Sequence, residues 1–205
     1  MLDNLGFPNE SFIKLIDSLE CPSLEKLSFS SNINNMTVDG CISLFKRSWT
    51  RLKELKLHGL LNYQLTAEHF KKLLNAVPYL QHLYFSWDAC NPDEVDDLLQ
   101  QLSSLTPNLE GGTPGFLPHL ESLTLALERA NVNTWRHIPI IYSRPHRKLL
   151  RLELYLKEID IDNNVLTKIS KFIDEGVFLR MGKIIFRTFM PRRPPSRIFL
   201  HEFYI

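Results

Sequence analysis

The chain is poor in cysteine, with three in 205 residues. Cys21, Cys41 and Cys90 have no metal-like spacing, and their odd number argues against a disulfide framework. They read as small apolar side chains in a reducing compartment. Neither charge sign is in excess, with 24 Lys plus Arg against 23 Asp plus Glu. A domain that binds nucleic acid over its whole surface normally shows a basic surplus, so nucleic acid is not expected as a partner. No run approaches the roughly 18 apolar residues of a membrane helix. The opening MLDNLGFPNE carries acid and proline where a secretory leader needs a basic and then an apolar stretch. The expectation is a soluble cytoplasmic or nuclear protein with no membrane contact.

Motifs for chemistry are also missing. Gly111 to Gly115 (GGTPG) has no Lys and Ser/Thr to hold phosphate and metal. There is no nucleophile elbow and no His-Glu-x-x-His. His58 and His82 could be neighbours on adjacent strands, but two histidines fall short of the three or four ligands that zinc takes. Asp96 and Asp97 read as a solvated helix face. The expectation is a non-enzyme with no cofactor and no metal.

What is present is a repeat. LEKLSF starts at Leu24, LKELKL at Leu52, LQHLYF at Leu80, LESLTL at Leu120 and LLRLEL at Leu149, with a weaker copy, MGKIIF, at Met181. All fit apolar-x-x-apolar-x-apolar, at spacings of 28, 28, 40, 29 and 32 residues. In an extended chain the last two apolar positions share one face. One such strand cannot bury that face alone, whereas stacked neighbours build a continuous core.

Between the strands the period changes to helical. Phe12, Leu15, Ile16 and Leu19 form one apolar stripe, Phe70, Leu73, Leu74 and Val77 another, and Val95, Leu98, Leu99 and Leu102 a third. Thr66, Asn91 and Asp162 are N-cap residues, Pro92 is a first-turn proline, and Gly176 is a stop. Segments 38–47 and 131–138 are less regular helices. Parallel strands need crossovers of a dozen or more residues, and helices supply them. The expected fold is α/β: a leucine-rich-repeat solenoid with about six strands on a concave face and helices outside. Strands are expected near 25–30, 53–58, 81–86, 121–126, 150–155 and 182–187, within one domain at 1–188. A Leu-rich α/β domain of ordinary topology is the competing reading.

The 40-residue gap holds an insertion from Ser104 to Phe116, rich in glycine and proline, that cannot continue a helix. Residues 189–205 read as a Pro/Arg linker and a capping tail. Pro191 to Pro194 also fits a loose PxxP ligand pattern.

The side chains that alternate with the core leucines should face outward. They supply the candidate protein-binding face: Lys56, His58, His82, Tyr84, Trp87, Arg151, Glu153, Tyr155, Lys183 and Arg187. Tyr, Trp and Arg are the types enriched at binding hot spots.

The segments CPSLEKLSF (Cys21 to Phe29), WTRLKELKLHGL (Trp49 to Leu60), LTAEHFKKLLNAVPYLQHLYF (Leu65 to Phe85) and LTPNLEGGTPGFLPHLESLTL (Leu105 to Leu125) resemble the C-terminal leucine-rich region of fungal F-box proteins. The resemblance covers about residues 10–187. It implies repeats that hold a protein, in that family a ubiquitination substrate. It implies the SCF adaptor as a partner only if an F-box, not visible in this chain, is supplied elsewhere. A free-standing repeat scaffold or inhibitor with no ubiquitin link is the alternative.

Overall fold

The structure is a computed structural model that describes residues 14, 18–30, 35–48, 51–59, 67–87, 92–104, 116–127, 134–156, 161–185 and 199–202. Its elements alternate: β1 (Lys26–Ser30), α1 (Asn35–Ser48), β2 (Glu54–Gly59), α2 (Ala67–Asn75), β3 (His82–Trp87), α3 (Pro92–Ser103) and β4 (Ser122–Leu127). Then come α4 (Thr134–Tyr142), a single 3-10 turn (Pro145–Arg147), β5 (Arg151–Leu156), α5 (Asn163–Asp174), β6 (Leu179–Ile185) and β7 (Phe199–Glu202). The strands form one sheet in chain order. β1 to β6 are parallel, and β7 runs antiparallel to β6. The protein is therefore α/β with a six-stranded parallel sheet and a helix in every crossover.

The register explains the core. Leu27, Leu55, Leu83, Leu123, Leu152 and Leu179 stand side by side across six strands. Two residues on, Leu57, Phe85, Leu125, Leu154 and Met181 form a second inward row. The helices bury the stripes expected of them, including Phe70, Leu73 and Leu74, then Val95, Leu98, Leu99 and Leu102, in one continuous cluster with those rows. In α4, Trp135, Ile138 and Ile141 do the same despite Pro139 inside the helix.

Four strands, β1, β3, β4 and β5, are approached through a tight turn closed on a leucine that is half-buried at Leu24 and buried at Leu80, Leu120 and Leu150. The Leu24 amide donates to Cys21 O (3.0 Å), Leu80 to Val77 O (3.1 Å), Leu120 to Leu117 O (3.2 Å) and Leu150 to Arg147 O (3.0 Å). The fifth of the sequence blocks is thereby corrected. Leu149 fits the template, yet it is 91% exposed, and Leu150 takes the inward place. The 3-10 turn brings the chain to β5 one residue sooner than in the other units.

The expected strand at 182–187 is corrected as well. Leu152 pairs with Leu179 and Leu154 with Met181, so β6 begins three residues earlier than expected and the core-facing parity is reversed. The cause is the helix stop. Gly176 has φ 88°, its amide donates to Ile173 O (2.9 Å), and the Val177 amide donates to Phe172 O (3.0 Å). This is a Schellman motif, and it releases the chain directly into an extended Val177-Phe178-Leu179. At the other end of α5, the Asp162 carboxylate accepts the Asn164 amide (2.8 Å).

Of the expected caps, Thr66 and Asn91 lie outside the described residues, as do the stripe members Phe12, Leu15 and Ile16, the PxxP segment and most of the insertion. The two stems of that insertion are described. Arg144 Nε donates to Ser103 O at the end of α3 (3.1 Å). Arg147 Nη1 donates to Leu117 O (2.8 Å) and Nη2 to Phe116 O (2.5 Å). The segment after β4 thus clasps the chain on both sides of the longest crossover. Arg147 is only 2% exposed, and burial pulls its guanidinium down to about 10.

Candidate functional site

The helices cover one face of the sheet, and the alternate strand positions belong to the other in three register-matched rows. The first is Lys26, Glu54, His82, Ser122 and Arg151. The second is Ser28, Lys56, Tyr84, Thr124, Glu153 and Arg180. The third is Ser30, His58, Ser86, Ala126, Tyr155 and Gly182.

The rows differ in exposure. In the first, Lys26, His82 and Arg151 are exposed. The described members of the second are half-buried. In the third, Ser86, Ala126, Tyr155 and Gly182 are buried. Tyr155, at 3% exposure, packs with Ala126 apart from the main core, and its hydroxyl donates to Glu153 Oε2 (2.9 Å). Its expected place as an exposed contact is therefore corrected: it serves the fold and orients Glu153.

Three further sites need correction. Lys183 pairs with Leu156, in the parity of the core rows, because β6 starts early; Arg180 stands where an outward cation was expected. His58 lies opposite Ser86 and His82 opposite Glu54. Four residues of strand, about 13 Å, separate the two histidines, so they are not neighbours. Asp96 is half-buried rather than solvated, with Oδ1 3.2 Å from His137 Nε2 on α4. The side chains of His58 and Trp87, and all of Arg187, lie outside the described residues.

The electrostatics of the face centre on Glu54. Its carboxylate meets Lys56 Nζ at 2.6 Å and Lys26 Nζ at 2.9 Å. Hydrogen bonds from Lys56 and then Lys26 hold its carboxyl down to about 2. Folding stability therefore includes a contribution from this group that is complete above its ordinary 4.5 and lost as pH falls toward about 2. Glu54→Gln should cost no more than about 1 kcal/mol at neutral pH. The native chain should lose its lead over Glu54→Gln between pH 4.5 and about 2 in parallel thermal melts. A lead that survives at pH 2 would place the stabilisation elsewhere.

At the far side of the sheet the Arg151 guanidinium sits 5.5 Å from the centre of the Phe178 ring, a cation–π distance. Tyr84 is half-buried, and burial raises its phenol above the ordinary value. Beside the first row, Tyr79 stacks on His119, with ring centres 5.8 Å apart. Phe178 and Arg180 were missed by sequence reasoning, which had Gly176 as the helix stop but began the strand too late. Lys26 and Glu54 were placed outward but not chosen, since lone surface charges carry no signal until the register joins them.

No protein-family model matches the chain, and no curated protein matches it significantly. The site rests on its own geometry. Among the described residues no group of three or more His, Cys, Asp or Glu could hold a metal ion. No described helix is long and apolar enough to cross a membrane. On the helical side, a groove of about 550 Å³ between α2 and α3 is lined by Glu68, Lys71, Asp97, Gln100, Gln101 and Ser104. This rim mixes both charges with amides and contains no nucleophile–base pair.

Proposed function

We propose that the chain is a leucine-rich-repeat solenoid whose helix-free sheet face binds another protein. One observation carries this reading. Six strands put leucine at the same inward position, and the alternate positions thereby become a continuous polar and aromatic surface. Short units that bury their apolar faces only against neighbours are the physical basis of repeat solenoids. A face spread over six strands suits an extended macromolecular contact better than a small-molecule pocket. The resemblance to fungal F-box repeats supports a narrower role, recognition of a ubiquitination substrate, with the adaptor-binding element supplied elsewhere.

The test places bulk in the middle of the face. A Ser122→Arg/Thr124→Arg variant should fold with a stability change of about 1 kcal/mol or less. It should lose the proteins that the native chain captures by proximity labelling in cells. Capture of the same proteins by the folded variant would remove the face from binding. Ubiquitin-ligase subunits among those lost, when an F-box is supplied in trans, would support the narrower role.

A further inference from the structure

The accessible part of the face is a strip two rows deep. The buried Ser86, Ala126, Tyr155 and Gly182 of the third row bound it on one side, and the Tyr79–His119 stack and Phe178 lie along the other. Charge along the strip is uneven. Lys26 and Lys56 stand on β1 and β2, and Arg151 and Arg180 on β5 and β6. Between them, β3 and β4 present His82, Tyr84, Ser122 and Thr124, with no carboxylate and no fixed cation. Among the described residues the strip holds two carboxylates: Glu54 meets two lysines, and Glu153 accepts from the Tyr155 hydroxyl. Counted over the described residues of the strip, each end carries two cations and one carboxylate, and the centre between them carries no formal charge.

The spacing of the two ends is fixed by the sheet. Lys26 and Arg151 are four strand intervals apart in the first row, and Lys56 and Arg180 four apart in the second. At 4.7–4.9 Å per interval that is about 19 Å. Resting on the protein-binding reading, we infer that the face takes an acidic protein segment lying across the strands, with two carboxylate groups about 19 Å apart and uncharged residues between them. An extended segment covers this distance in about six residues, a helical one in about 13. A hollow of about 190 Å³ lined by Lys26, Leu27, Ser28, Glu54 and Lys56 gives one end room for a side chain. A nucleic-acid strand carries its charge continuously and would lay phosphates over the centre, which offers them no fixed cation.

The experiment is fluorescence anisotropy with the full chain and labelled synthetic probes. One peptide carries two Glu-Glu pairs separated by five Ser/Ala residues. A second has the same composition with the four glutamates contiguous, a third has lysine for glutamate, and the fourth probe is a 12-nucleotide single-stranded DNA. The spaced peptide should bind at least about fivefold more tightly than the contiguous one, and its affinity should fall with salt. Arg151→Glu and Lys26→Glu should each weaken it about tenfold, as like charges now meet across the contact. Arg151→Gln, which only removes charge, should have a smaller effect in the same direction. Indifference to spacing, DNA binding as tight as the spaced peptide, or full affinity in Arg151→Glu would each overturn the inference. If any of these occurs while Ser122→Arg/Thr124→Arg still loses its cellular proteins, the acidic-segment assignment fails and the protein-binding reading stands. If the variant also keeps its proteins, both fail.

Discussion

Replacing Leu83 with alanine should destabilise the chain by about 2–5 kcal/mol, the range for emptying a leucine site in a packed core. Leu83 is 2% exposed and lies in the middle strands of the sheet, between Leu55 and Leu123 in the same inward row. Neighbours on both sides are themselves buried leucines held by their own ladders, so the site has little freedom to collapse. The informative control is the next residue. Tyr84 points away from the helices, and its removal leaves no enclosed void. It is half-buried and hydrogen-bonds Ser86, so Tyr84→Ala should cost about 1 kcal/mol rather than nothing. Urea unfolding at equal m-values compares the two directly. Equal losses in both variants would mean that the inside and outside of the sheet are wrongly assigned.

Arg147→Met should cost about 2–4 kcal/mol, for a different reason: it keeps most of the buried volume and deletes the donors. The carbonyls of Phe116 and Leu117 then lose their guanidinium partner, and a buried acceptor without a donor costs about 1–3 kcal/mol. Part of the loss is offset, because the guanidinium is itself poorly solvated and its Nε makes no hydrogen bond in the structure. Leu117 has φ 46°, a left-handed conformation unusual for a branched side chain, and Arg147 holds its carbonyl. The loss should therefore be local first. Hydrogen exchange at Leu120 and Ser122, the amides that follow this turn, should rise before exchange at β2 does. Uniform acceleration across the sheet would show that Arg147 supports the whole core and not the long crossover.

The parts of this fold that could be read from sequence are those where one period dominates. Two apolar residues two apart, preceded by a third, mark β1 to β4 because each of those strands starts two residues after the template's first leucine, Leu24, Leu52, Leu80 or Leu120. The same template failed by one residue at β5, where Leu149 and Leu150 are chemically identical and only the 3-10 turn decides between them. At β6 it failed by more. Met181, Ile184 and Phe186 fit the pattern, but the Gly176 stop delivers Leu179 to the sheet first. The site was legible as a face and not as a set of residues. Alternation assigns Arg151 and Tyr84 to that face. It says nothing of the burial of Tyr155, the coupling of Lys26 and Lys56 through Glu54, or the ring under Arg151, which are contacts between units. The arginine clasp was equally hidden, since Arg144 and Arg147 sit 30 or more residues from the carbonyls they hold.

The reversed direction of β7 bears on how copies of this chain can meet. A row of parallel strand–helix units has no inherent length, and its last strand is a template for the first strand of another molecule. Such head-to-tail contacts do not close on themselves and can run on into filaments. Here the last four residues of β6, Gly182 to Ile185, are already paired with a strand of opposite polarity, with Ile184 opposite Leu200. An incoming β1 cannot continue the parallel ladder on β6, so polymerisation by simple unit stacking is blocked at that end.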